Sequence, residues 1–184
     1  GVRHLMPIMP FMYILATSAA KRWKQSITFN KTLKTALLGI LTIWFFVDVI
    51  FAYPFYLSYF NEFVGTKNGW KYVTDSNYDW GQDLKRLEAF VEENNIEKIG
   101  VDYFGAGNPK YYIGEAEENW WSSKGDPLDS GIEWVAISIN KIQGSTGQLK
   151  GDLTRKQEDE YPWLKNPQEP YARAGTSIFI YKLR

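Results

Sequence analysis

The chain has 184 residues, no cysteine and a formal net charge of zero, from 21 basic and 21 acidic side chains. Without cysteine there is no disulfide framework, no thiolate nucleophile and no cysteine-ligated metal. Residues 61–184 carry 20 acidic against 15 basic groups, so they offer no basic face for a phosphate backbone, which argues against nucleic acid as a partner.

The sequence opens on Gly1, which points to a processed protein or a piece of a larger one. Residues 5–20 hold no charge and read as a first membrane crossing, with Pro7 and Pro10 near its start, where a helix tolerates proline. Sixteen residues make only roughly 24 Å of helix. Snorkelling by Lys21, Arg22 and Trp23 lengthens it; a half-inserted or buried segment is the alternative. The loop 21–34 contains Lys21, Arg22, Lys24, Lys31 and Lys34 and no acid, so the positive-inside rule places it in the cytoplasm. Residues 36–57 read as the second crossing, roughly 33 Å long, with Pro54 kinking or ending it. Its one charge, Asp48, either faces a bundle or a cavity, or lies near the interface or is protonated. The aromatic stretch 53–60 then leaves the bilayer. This topology leaves the sequon Asn30-Lys31-Thr32 unused, and glycan on Asn30 would overturn it. The resulting organisation is two transmembrane helices at 1–60, then a small extracytoplasmic α/β or α+β domain at 61–184.

Within that domain, Asp79 and Gln82 have capping-box spacing, with Asp79 as the helix cap. Leu84, Leu87, Phe90 and Val91 recur on one helical face opposite Lys85, Arg86, Glu88, Glu92 and Glu93. Residues 98–104 alternate as a strand. Gly105-Ala106-Gly107 is a turn, Asn108 caps a short helix and Pro109 occupies its first turn. Residues 115–131 read as a loop. Residues 132–139 read as a strand apolar on both faces, which suits a sheet covered on two sides. Residues 140–171 are polar and rich in turn formers, with a short helix near 159–164. Residues 175–181 form the last strand, Thr176, Ile178 and Ile180 pointing one way and Ser177, Phe179 and Tyr181 the other.

Four sets of residues are candidates for chemistry. Gly105-Ala106-Gly107 lies between strand and helix like a dinucleotide fingerprint, but Lys110 stands where its third glycine belongs. Asp75, Asp79 and Asp83 form an acidic cluster at the rim of a candidate site. Their carboxylates hold a divalent cation or act as acid and base, or Asp79 caps the helix and the others are solvated surface. Arg3 and His4, the one histidine, form a cationic spot suited to a phosphate at headgroup level or to plain interface anchoring. Trp120, Trp121 and Trp163, where exposed, could stack on sugar.

Residues 1–11 (Gly-Val-Arg-His-Leu-Met-Pro-Ile-Met-Pro-Phe), 53–65, 75–87 (Asp-Ser-Asn-Tyr-Asp-Trp-Gly-Gln-Asp-Leu-Lys-Arg-Leu) and 174–181 together resemble the C-terminal portion of the polytopic glycosyltransferases related to protein O-mannosyltransferases, which use polyprenyl- or dolichyl-phosphate sugars. The resemblance covers nearly the whole chain and is most specific at 75–87. It implies a GT-C membrane fold in the parent protein and sugar transfer from a lipid-phosphate donor to an acceptor on the outer membrane face. It also implies upstream membrane helices as partners and a catalytic carboxylate in an early outward loop, a region this sequence does not contain. By the same likeness Arg3 contacts the donor phosphate, His4 is its neighbour, and the donor is recognised without a nucleotide-binding fold; the expected cofactors of this chain are none, or a divalent cation. In the implied reaction a carboxylate takes the acceptor's hydroxyl proton, that oxygen attacks the anomeric carbon, and lipid phosphate leaves with its charge offset by a cation. The competing expectations are a non-enzymatic membrane-anchored domain that binds glycan or protein, and a transporter or assembly subunit signalled by Asp48.

Overall fold

The computed structural model describes residues 2–26, 30–73, 78–149, 151–156 and 159–184, with backbone only at residues 2–4. The chain divides into two compact units, Gly1–Pro54 and Phe55–Arg184.

The first unit is helical. A 3-10 stretch, Val2–Ile8, contains Pro7 and leads into α1, Met9–Gln25, with Pro10 in its first turn. α1 has 17 residues, and Lys21, Arg22 and Lys24 lie in its C-terminal turns. α2, Lys31–Ala52, begins five residues before the apolar run, because Asn30 supplies a cap: its side chain accepts from Thr32 N at 3.0 Å. The asparagine of the sequon is thus a helix cap. α2 ends at Ala52, and its C-cap Tyr53 is extended, immediately before Pro54. It has 22 residues, an 18-residue stretch of it has a mean hydropathy of 2.2, and its apolar side chains are almost all exposed. That length is about 33 Å of helix, against about 30 Å of bilayer hydrocarbon. Among the described residues it is the one helix long and apolar enough to cross a membrane. Its exposure separates it from the core helix of a globular domain.

The second unit is a small globular domain built on a mixed five-stranded sheet. Helix α3 is Leu84–Glu93 and strand β1 is Ile99–Asp102. Helix α4, Pro109–Ile113, starts on Asn108, whose side chain accepts from Lys110 N at 3.0 Å. Then come β2, Glu117–Asn119, β3, Trp134–Ser138, and α5, Ile139–Thr146. The domain closes with β4, Ala172–Ala174, and β5, Ile178–Lys182. β1 pairs parallel with β2 and β3, while β5 pairs antiparallel with β3 and β4.

Period-two alternation explains why both faces are covered. Val135, Ile137, Phe179 and Tyr181 join Trp70, Trp120, Ile139 and Ile142 on one face. Ala136, Ile178 and Ile180 meet Leu84, Leu87 and Val91 of α3 on the other. A fully buried aliphatic side chain such as Leu87 or Ile137 contributes about 1.5–3 kcal/mol.

Several local expectations change. Asp79 does not cap α3; the cap position is Asp83, which makes no side-chain cap bond. Asp79 Oδ1 instead accepts from Gly81 N at 2.8 Å, and Gln82 Oε1 accepts from Trp80 N at 2.8 Å. Gly81, at φ 74°, turns the chain in a way that delays the helix. The segment read as a loop at 115–131 contains β2, the polar segment 140–171 contains all but the first residue of α5, and β4 occupies 172–174, between that segment and the last strand. Asp159 lies in a 3-10 turn, and the backbone at 160–164 forms bends and turns rather than a helix.

Candidate functional site

β1 leaves through α4 to β2 on one side, and the chain then crosses back to β3 on the other. The C-terminal ends of β1 and β3 therefore flank a topological switch point, where connections depart in opposite directions and a crevice opens. Ser138, at the end of β3, accepts from Phe104 N through its hydroxyl at 2.9 Å and ties the two strand ends together.

A cleft of about 570 Å³ opens there, within the range of small-ligand sites. Asp102, the last residue of β1, forms its floor and is 6 % exposed. Tyr161 OH donates to Asp102 Oδ2 at 2.7 Å, and Lys141 Nζ of α5 lies 3.5 Å from Oδ1. Burial raises the pKa of the Asp102 carboxyl, while the Tyr161 hydrogen bond and the Lys141 charge oppose the rise. Burial and the Asp102 charge together push the Tyr161 hydroxyl up, so it stays a donor at neutral pH. Asn140 and Gly144 of α5 and the exposed Asp159 complete one wall. The other wall is Trp121, Ser122 and Ser123, with Trp121 44 % exposed. Lys124 Nζ stands 5.1 Å from the Trp121 ring centroid. The cleft thus combines an aromatic plane with a carboxylate, an ammonium, an amide and hydroxyls, a donor set suited to a polyhydroxylated ligand.

The acidic cluster read from the sequence lies elsewhere. Asp75 falls outside the described residues. Asp79 and Asp83 are both fully buried, so neither is solvated surface, and neither lines the cleft. Asp83 Oδ2 accepts from Thr176 N, Ser177 N and Ser177 Oγ, each at 2.9 Å, while Oδ1 accepts from Arg86 Nη1 at 2.6 Å. Gly175, at φ 63°, lets this turn approach so closely that a Cβ there would collide with the Asp83 carboxylate. Thr176 Oγ1 also shares a 2.6 Å hydrogen bond with Ser58 Oγ. Asp83 therefore fastens the start of α3 to the turn before β5.

Asp79 is less well served. Oδ2 has no hydrogen-bond partner among the described residues. Burial pushes the Asp79 carboxyl up to about 6. The Gly81 amide, the nearby Ser177 hydroxyl and the Asn140 amide pull it down, and the Asp83 charge pushes it further up. Among the described residues no group of three acidic or histidine side chains could hold a metal ion.

Comparison of the chain with protein-family models, with curated proteins and with solved structures gives no match. The Gly105-Ala106-Gly107 turn serves packing: a Cβ on Gly107 would meet Leu84 Cδ1 at 2.7 Å. Of the three tryptophans named for stacking, Trp120 is 4 % exposed and belongs to the core. Trp163 packs against that core, which leaves Trp121 at the cleft. Arg3 and His4 lie in the Val2–Ile8 stretch, and their side chains fall outside the described residues. Asp102, Lys141 and Tyr161 were not legible as a set. The one local signal was a carboxylate closing an otherwise apolar strand, Ile99-Gly100-Val101-Asp102.

Proposed function

We propose that this chain is the C-terminal part of a membrane glycosyltransferase that takes its sugar from a polyprenyl- or dolichyl-phosphate carrier. In this reading the chain crosses the membrane twice, the α/β unit stands on the extracytoplasmic side, and its cleft receives a saccharide. The observation that carries the reading is the cleft at the β1–β3 switch point, with Trp121 facing Asp102, Asn140 and Lys141. Sugars present apolar C–H faces to an aromatic plane and hydroxyl edges to carboxylates and amides. A membrane-length helix in the same chain supports a lipid-borne donor. The resemblance at residues 1–11, 53–65 and 75–87 supports the transfer chemistry, with Arg3 on the donor phosphate and His4 beside it. The base that deprotonates the acceptor belongs to upstream residues.

Two experiments test this. Isothermal titration of the chain in detergent with oligosaccharides should give saturable binding, weakened about tenfold by Trp121→Ala and more by Asp102→Asn, which removes charge-assisted hydrogen bonds of about 1.5–3 kcal/mol. Binding unchanged in both variants would remove the cleft from the reading. In the complete protein, Arg3→Ala should depress sugar transfer from lipid phosphate, and an unaltered dependence on donor concentration rules out the phosphate contact. The same cleft also favours a second reading, a membrane-anchored glycan-binding domain. Saccharide binding without any transfer by the complete protein would select it.

A further inference from the structure

We propose that the cavity between the basic ends of α1 and α2 binds the phosphate headgroup of an anionic membrane phospholipid. The inference rests on α2 lying in a membrane and is independent of the glycosyltransferase reading. The cavity measures about 660 Å³ and belongs wholly to the helical unit.

Its floor is built by a buried charge. Lys34 of α2 is 8 % exposed, and its Nζ donates to three carbonyl oxygens at the end of α1: Trp23 at 2.7 Å, Lys24 at 3.3 Å and Ser26 at 2.5 Å. All three ammonium protons are thereby used. The bonds satisfy terminal carbonyls that α1 leaves open and hold the two helices together at this end. They spend the hydrogens of Lys34 but leave its positive charge in place. Lys21, Lys24 and Lys31 surround the same cavity and are exposed. No carboxylate occurs among residues 1–47. The nearest acid in α2, Asp48, lies about 26 Å along the helix from Lys31. Four cations therefore converge without an anion of their own unit to balance them.

The remaining wall fixes the source of the anion. Leu38 and Ala20 give it an apolar side, and Trp23, half-buried, stands between the apolar and the basic parts. A small inorganic anion has no use for an apolar wall. A phospholipid has, because its glycerol and first acyl carbons follow its phosphate. Tryptophan at the headgroup level and basic pockets between membrane helices are both features of anionic lipid sites.

The test uses the full chain in nanodiscs of phosphatidylcholine containing phosphatidylglycerol, with retained lipid counted by native mass spectrometry. The wild type should keep phosphatidylglycerol in preference to phosphatidylcholine. Each of Lys21→Gln, Lys24→Gln and Lys31→Gln should weaken that preference about fivefold, and the triple variant should erase it. Lys34 is left intact because it joins the helices. A charge-matched control, Lys85→Gln with Lys98→Gln and Lys124→Gln, should keep the preference. Equal retention of the two lipids by the wild type overturns the proposal, as does an unaltered preference in the cavity triple variant. An equal loss in the control overturns it by showing bulk charge, and displacement of the lipid by inorganic phosphate overturns it in favour of a small-anion site.

Discussion

Asp83→Ala will lower the unfolding free energy of the α/β unit by about 3–5 kcal/mol. The carboxylate is fully buried and is the shared acceptor for Thr176 N, Ser177 N and Ser177 Oγ. Alanine would leave two backbone amides and a hydroxyl buried without an acceptor, each at a cost of about 1–3 kcal/mol. The ion pair with Arg86 adds little to this sum, since the arginine side chain is 39 % exposed and screened by water. Asp83→Asn keeps one acceptor oxygen and should fall between the wild type and alanine. Urea unfolding followed by tryptophan fluorescence checks the order. A loss below about 1 kcal/mol for the alanine variant would show that the turn before β5 finds other acceptors.

The second large effect is one of pH. Asp79 has its carboxyl pKa raised from 3.8 to about 6, chiefly by burial. In the unfolded chain the group loses its proton near pH 4, whereas the folded domain keeps it up to about pH 6. Below both values the two states are equally protonated and Asp79 adds no penalty. As pH rises between them, the unfolded state becomes favoured, and the domain loses about 3 kcal/mol that stays lost at neutral pH. The charges facing Asp79 include Asp83, which adds to the cost. Asp79→Asn should therefore be more stable than the wild type at pH 7, with the difference vanishing near pH 4. Thermal unfolding of both proteins across that range decides it. A constant difference at every pH would mean that the Asp79 carboxyl has the same pKa in the folded and unfolded chains.

These two aspartates mark where sequence reading stopped. The amphipathic pattern of α3, the alternation of β5 and the Asn108-Pro109 start of α4 were legible because each is a local rule satisfied by neighbouring residues. β2 is Glu-Glu-Asn and β4 is Ala-Arg-Ala, neither with strand propensity. They are strands only because β1 and β5 present unpaired edges to them. α5 carried a faint signal, Ile139 and Ile142 three residues apart, diluted by Gly144 and Ser145. Asp79 read as a helix cap because its spacing to Gln82 fits one. What displaced it was the turn at Gly81, together with the demand of the Gly175–Ser177 backbone for the Asp83 carboxylate, a partner more than ninety residues away. The cleft shows the same limit: Asp102 meets Tyr161 across 59 positions, a distance over which no local pattern runs.

The position of β5 bears on how the protein is made. The last strand of the chain is not at the sheet's margin but between β3 and β4. During vectorial synthesis β1, β2 and β3 emerge first, and β3 waits with an open hydrogen-bonding edge until residues 178–182 arrive. Asp83 waits as well, because its amide donors sit in the turn just ahead of that strand. The nascent domain therefore closes in one late step, and any premature stop that removes the final strand strips β3 of its partner and leaves a sticky edge for chaperones and proteases to find.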